Sequence, residues 1–271
     1  MNNTRNNNLK FGNSFYSAIR CMICVVYSLF LRETVSMYGD RRLGYLWVIV
    51  KLVFNIAVFA VLRMALGAKE MGGMHVIYYL MIGFTVINIF SDCANKCLTA
   101  VSANTAMLEF PHVKPLDIMI ARCLLAVATN LVVALIVIVV CSMYGIPFII
   151  TDISKFIILL WLVVIFCMSF GICLASLNVH YQTVGKIFPF INRILFFVSG
   201  VFFSIDGLPT AYKEILSLNP ILQIITGFRE SVTYVIKLQE ICSIQYISFV
   251  SLGLLAVGLL LEQYSHRKLE L

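Results

Sequence analysis

Two stretches of this chain, residues 123–144 and 156–177, contain no charged residue at all. A bilayer crossing needs about 20 predominantly apolar residues, and each stretch is of that length. No other feature restricts the fold so strongly. In hydrocarbon every backbone N–H and C=O must be satisfied within the protein, which for apolar runs of this kind means helices. The composition agrees: 61% of residues are hydrophobic and 12% charged, against about 25% charged in soluble domains. An ordinary soluble enzyme is excluded.

Four further apolar runs complete an expectation of six transmembrane helices: about 44–66, 74–90, 123–144, 156–177, 187–205 and 241–261. The fold class is therefore an all-α polytopic membrane protein. Span one is the most polar, with Lys51, Asn55 and Arg63. Span five holds Pro189, Arg193 and Gly200 and is expected to kink or break. Asp92 and Lys96 follow span two at a spacing that suits an ion pair on a helix. Before span one, the uninterrupted apolar part of residues 14–31 is too short to cross. It reads as an amphipathic interfacial helix, with a true crossing as the rival reading. The segment 206–240 is too polar to cross and too apolar for a free loop, so it reads as re-entrant or interfacial helices between spans five and six. The organisation is a cytosolic tail (1–13), an interfacial helix with a charged connector (14–43) and a transmembrane domain (44–271). The polar, Asn-rich start shows no signal-peptide pattern.

The net charge is +7, and its placement matters more than its sum. On the side shared by both termini fall twelve Lys and Arg residues, headed by Arg5, Lys10, Arg20, Arg32, Arg41 and Arg42; five fall on the other side. Positive charge marks the cytosolic face, so both termini are expected there. The basic residues are then topology signals and contacts to anionic lipid rather than a nucleic-acid footprint. Of nine cysteines, most lie inside apolar runs, where they behave as small hydrophobes. Cys21 and Cys24 have CxxC spacing but no partner pair, and Cys93 and Cys97 lie one helical turn apart.

No phosphate-binding glycine loop of the GxxxxGK[ST] kind occurs, and no HExxH or GxSxG. His75, His112, His180 and His266 are scattered. No non-spanning stretch is long enough for a catalytic domain. Any work the protein performs draws its energy from a partner or an ion gradient. A membrane enzyme acting on lipid-linked sugars would need paired carboxylates or a histidine facing the membrane surface at mid-chain; Asp92 stands alone, and His75 lies only at the edge of span two. A non-catalytic scaffold predicts no ATP-binding partner.

Several motifs carry a resemblance. Leu-Phe-Leu-Arg-Glu occupies 29–33, Tyr-Gly 38–39 and Arg-Leu-Gly-Tyr-Leu-Trp 42–47. Val-Lys-Pro-Leu-Asp follows at 113–117 with Ile-Ala-Arg at 120–122. Leu-Asn-Pro stands at 218–220 and Arg-Glu at 229–230. With this span order, the chain resembles the membrane permeases of capsular polysaccharide ABC exporters (KpsM-like, of the ABC-2 type) over nearly its whole length. The resemblance implies a homodimer in the bacterial inner membrane, driven by a separate cytosolic ATP-binding subunit that holds ATP and Mg²⁺. This chain would bind no cofactor and perform no catalysis. It implies a coupling helix at 104–110 leading into 113–117, periplasmic and outer-membrane export partners, and an anionic lipid-linked polysaccharide as cargo. An O-antigen, teichoic acid or small-molecule exporter of the same architecture is the near alternative.

Candidate substrate-channel residues are Tyr45, Trp47, Lys51, Trp161 and Arg193. Lys51 and Arg193 each lie about 10 Å into a span, where a cation either faces water or snorkels to the headgroups. Aromatic faces can stack on sugars, but more often anchor at the interface. Candidate ATPase-coupling residues are Arg32, Glu33, Glu109, Lys114 and Asp117; Arg32 and Glu33 equally suit capping of the interfacial helix. Arg229 and Glu230 read most simply as a local pair. One departure stands out: the family commonly has an acidic residue and a proline just after the Leu-Trp run, and this chain has Lys51-Leu52.

Overall fold

The computed structural model describes residues 20–35, 44–68, 70–104, 114–203, 209–232 and 242–269; the side chains of 44–48, 102, 210–211 and 265–269 are outside that description. Residues 20–35 form helix α1. They are followed by α2 (Gly44–Ala65), a hairpin of β1 (Glu70–Met71) and β2 (Met74–His75), α3 (Val76–Leu98) and α4 (Ala100–Ala103). Then come α5 (Pro115–Met143), α6 (Ile153–His180), α7 (Thr183–Val198), α8 (Thr210–Ser217), α9 (Pro220–Val232) and α10 (Ile244–Leu269). The protein is mostly helical. Four of these helices have the length and apolarity to cross a bilayer: Val76–Leu98, Pro115–Met143, Ile153–His180 and, within α10, Ile244–Tyr264.

The helix starts arise from local chemistry. In α5, Pro115 occupies the first helical position, where its missing N–H costs nothing. The Asp117 carboxylate accepts from the Lys114 backbone N–H at 3.1 Å. This is half of a capping box, since the Lys114 side chain cannot accept the reciprocal bond. In α6, Asp152 accepts from the Lys155 N–H at 3.0 Å and from the Ser154 hydroxyl at 2.7 Å. Those two donors hold its pKa below the ordinary carboxylate value. In α9, Asn219 accepts from the Ile221 N–H at 3.0 Å, and Pro220 again stands first. Between α2 and α3, Gly72 and Gly73 take φ of 56° and 73°, the positive pair that a two-residue hairpin turn requires. Sequence periodicity gave no sign of this hairpin.

Helix α3 is the hub. It packs against α2, α5, α6 and α9, and its side chains from Tyr78 through Ile87 are all buried. Helix α9 lies wholly inside the protein, every residue from Ile221 to Val232 being buried. Helix α1 presents two faces. Val25, Val26 and Leu29 meet the core, while Ile23, Tyr27, Leu31 and Val35 form an exposed apolar stripe at every fourth residue.

Span five departs from its expected extent. The helix runs from Thr183 to Val198 instead of reaching residue 205. Pro189 lies within it without ending it; the stop comes at Gly200, with φ of 67°. The irregular backbone beyond is satisfied carbonyl by carbonyl. Arg229 donates to the carbonyls of Gly200 at 2.8 Å and Val201 at 3.1 Å. Arg63 donates to the carbonyl of Phe202. The Tyr79 hydroxyl donates to the carbonyl of Phe203 at 2.8 Å, and Asn219 donates to the Ser199 hydroxyl at 3.0 Å. Buried non-helical backbone is tolerated only when its polar groups are paired in this way. The two arginines also place positive charge at a helix C-terminus, where the macrodipole favours it. Around them Phe59, Phe84, Phe196 and Phe202 pack ring against ring.

Two local ion pairs suggested by spacing are replaced by contacts between helices. Arg229 is fully buried, its guanidinium 3.4 Å from the centroid of the Tyr79 ring, and it also donates to the Tyr79 carbonyl at 3.1 Å. Glu230, pointing the other way around α9, is bonded by Lys155 of α6. Adjacent residues on a helix diverge by about 100°, so the pair cannot close on itself. Likewise Asp92 accepts from buried Asn130 of α5 at 2.9 Å, and no ion pair joins it to Lys96.

Candidate functional site

Helices α3 and α7 meet along a face rich in polar side chains. On α3, Asn88, Ser91 and Asn95 recur at i, i+3 and i+7, which places them on one side of the helix. On α7, Asn192 donates to the Ser91 hydroxyl at 2.7 Å, and Asn95 donates to the Ser91 carbonyl at 2.8 Å. These residues, with Pro189, Arg193 and Phe196, line an open groove of about 250 Å³. Its neighbours differ. A groove of about 370 Å³ between α3, α5 and α6 and one of about 280 Å³ between α2 and α5 are lined almost wholly by apolar side chains. The α3–α7 groove offers amide donors, amide acceptors and one guanidinium, all suited to hydroxyl-rich or anionic ligands.

A second polar cluster sits where α1, α3, α4 and α5 converge. Glu33 of α1 accepts from the Arg122 Nε of α5 at 2.8 Å, each side chain 12% exposed. A second nitrogen of Arg122 donates to the Lys96 carbonyl and to the Thr99 hydroxyl, both at 3.2 Å. Asn104 donates to the same Glu33 oxygen at 3.3 Å and to the Ala100 carbonyl at 3.2 Å. Burial makes these charge-assisted bonds stronger than surface pairs.

The residues singled out from the sequence fall in different places. Arg193 is exposed and lines the polar groove. Lys51 is exposed on α2 without a hydrogen bond or ion pair among the described residues, and it is not part of the groove lining. Lys51 and Arg193 are thus not brought together within one chain. Trp161 is 64% exposed, in an outward stripe of α6 with Ile157, Ile158 and Ile165. Tyr45 and Trp47 lie in the first turn of α2, with side chains outside the described residues. Among the coupling candidates, Arg32 and Lys114 are exposed. Glu33 is engaged by Arg122, and Asp117 is buried as the cap of α5. Glu109, with most of 104–113, and the connector residues Arg41 and Arg42 lie outside the described residues. The CxxC cysteines, Cys21 and Cys24, are free and exposed on α1, whereas Cys97 and Cys123 are buried with their sulfurs 3.2 Å apart.

Sequence reasoning missed Asn88, Ser91, Asn95 and Asn192. The i, i+3, i+7 recurrence of polar residues inside an apolar run was the available signal. It also missed Arg63, Tyr79 and Arg229 as partners of the span-five break, because that break lies far from all three in sequence.

A family model for the ABC-2 type transporter matches residues 25–233. The chain belongs to the ABC-2 type transporter family. Those residues include the polar groove and the Glu33–Arg122 cluster. Among related ABC-2 proteins, the polysialic acid transport protein KpsM of Escherichia coli is 27% identical over 238 residues, covering 87% of this chain and 91% of KpsM. The capsule polysaccharide export inner-membrane protein CtrC of Neisseria meningitidis is 24% identical, covering 80% of this chain and 82% of CtrC. The corresponding protein BexB of Haemophilus influenzae is 23% identical, covering 91% and 92%. The family motifs acquire physical roles here. Lys-Pro-Leu-Asp and Asn-Pro begin helices, and the Arg-Glu of α1 meets the Ile-Ala-Arg of α5 through Glu33 and Arg122.

Proposed function

We propose that this chain is the membrane subunit of an ATP-driven exporter that moves a lipid-anchored capsular polysaccharide across the bacterial inner membrane. The observation that carries the reading is the match along nearly full length to three proteins named for polysialic acid or capsule polysaccharide export. In this reading α2, α3, α5, α6, α7 and α10 are six crossings. Helix α1 lies along the cytosolic surface with its Ile23–Tyr27–Leu31–Val35 stripe against lipid, a face that supports the assignment. Helices α8 and α9 form the re-entrant element near the periplasmic exit, and both termini are cytosolic. Two copies enclose the path, and export proteins of the periplasm and outer membrane take over the polymer beyond it.

ATP and Mg²⁺ belong to a separate cytosolic subunit, which touches exposed Arg32 and Lys114 and the 104–113 segment with Glu109. The α3–α7 groove faces the path. Its amides exchange hydrogen bonds with sugar hydroxyls, and Arg193 attracts an acidic chain without holding it at one fixed point. Lys51, where the family commonly carries an acid, adds a second cation at the cytosolic mouth. Tyr45 and Trp47 flank that mouth. The outward position of Trp161 favours lipid contact over the path.

Deleting the gene and restoring it by plasmid tests the reading. The polymer made by the host is measured at the surface and in the cytosol, and an ATP-binding subunit is sought by co-purification. Cytosolic accumulation on deletion, reversed by the wild-type chain, is expected. A normal capsule in the deletion strain, or loss of a teichoic acid, O-antigen or small-molecule export phenotype instead, overturns the assignment of cargo. Arg193→Gln and Lys51→Gln should each lower export severalfold; wild-type export from both removes the cations from the path.

A further inference from the structure

Asn104 and Lys114 flank the stretch that the reading above places against the ATP-binding subunit, and both belong to the described structure. At one end Asn104, buried on the α4 corner, donates to Glu33 of α1 and to the Ala100 carbonyl. At the other, Lys114 leads into the capped first turns of α5, and Arg122 stands two turns further along that helix. Arg122 then closes the loop. It pairs with Glu33 at 2.8 Å and donates through a second nitrogen to the Lys96 carbonyl of α3 and the Thr99 hydroxyl. One carboxylate and one guanidinium therefore join four elements: the surface helix α1, the end of α3, the α4 corner and the start of α5.

We propose that the Glu33–Arg122 pair is the positioning latch that passes displacement of the α4 corner and the start of α5 to α1 and α3. The inference rests on the export reading and deepens it. Three features support the assignment. The pair spans 89 positions of sequence, so it is not a local helix pair of the kind that merely supports one element. Both side chains are largely withdrawn from solvent, which stiffens the tie and removes Glu33 from the surface open to a docking subunit. The planar guanidinium engages partners on different elements at once, which a lysine ammonium does not do with the same fixed angles. Arg122 also holds the last turn of α3 by its Lys96 carbonyl, and α3 carries the polar groove, so displacement of the corner reaches the groove along one rigid helix. Glu33 and Arg122 touch neither nucleotide nor cargo. They are positioning residues.

The test uses the intact transporter with its ATP-binding subunit. Glu33→Gln, Arg122→Gln and the double variant are each compared with wild type for co-purification of that subunit, ATP turnover in proteoliposomes, and host polymer at the surface and in the cytosol. Each single variant should retain the subunit while export per ATP hydrolysed falls about tenfold, the scale of a typical coupling energy between sites. The double variant should be no worse than either single, because the two groups act as one unit. Additive losses, or wild-type export per ATP in both singles, overturn the latch. Glu33→Asp keeps the charge but shortens the arm, and guards against variants that fail to assemble. It should fold and still lower export per ATP; full export from it likewise overturns the proposal. Should the wild-type chain itself export no polymer and bind no ATP-binding subunit, the export reading fails, an outcome visible before any variant is made.

Discussion

Arg229 shows how much one side chain can hold. Its guanidinium serves the carbonyls of Gly200, Val201 and Tyr79 and stacks on the Tyr79 ring. Arg229→Met removes every donor while roughly filling the space. Stranding three buried carbonyls, each at about 1–3 kcal/mol, should cost several kcal/mol in total, read as loss of resistance to unfolding in detergent. Arg229→Lys keeps the charge but cannot reproduce the fork and should recover only part of that loss. Gly83 gives an independent check. A β-carbon there would lie 3.0 Å from an Arg229 nitrogen and 3.1 Å from Val201. Gly83→Ala should therefore destabilise by about 1–3 kcal/mol through the same contact, and the two effects should not add, since they act on one site. From sequence Arg229 was read as the partner of Glu230. Adjacency was the only clue, and adjacency on a helix separates side chains instead of joining them.

At the scale of elements, the apolar runs located the helices well. Four of the expected spans fall on helices long and apolar enough to cross a bilayer, and the runs near 44–66 and 187–205 fall on α2 and α7. Two boundaries moved for stated reasons. Span two extends to Leu98 because Asp92 and Lys96, read as its far end, stay helical, with Asp92 bonded by buried Asn130. Span five stops at Val198 because Gly200 takes a positive φ and three other helices supply partners for the irregular backbone after it. Neither partner set was legible, since each donor lies tens of residues from its acceptor. The groove between α3 and α7 makes a prediction of its own. Cysteines placed at positions 88, 95 and 193 should react with a charged, water-soluble thiol reagent faster than one placed at 161 or 165. Equal rates, measured over the background of the native cysteines, would mean that the groove is no wetter than the lipid-facing side of α6.

For the whole molecule, the charge imbalance between the two sides is the decisive sequence feature. It predicts that reporters fused after residue 271 and inserted near residue 13 report the cytosol, while one inserted between Tyr144 and Asp152 reports the opposite compartment. A result with the two termini on different sides would require an odd number of crossings, with α1 as the natural seventh. The fold class and family could be read from the chain because apolarity, span order and short motifs are local properties. Much of what joins the helices could not, because the ties from Glu33 to Arg122, from Asp92 to Asn130 and from Lys155 to Glu230 are long-range.

The paired break after α7 also bears on how the chain is made. Synthesis delivers Gly200 and Val201 before it delivers Arg229, so these two carbonyls are made ahead of their donor. Until α9 has emerged and tucked itself among the earlier helices, the end of α7 must be sheltered by water or by the insertion machinery. A nascent chain arrested shortly after residue 203 should therefore hold α7 less firmly than one arrested after α9 is complete. In this protein the end of α7 is completed only by a helix that comes later in the chain.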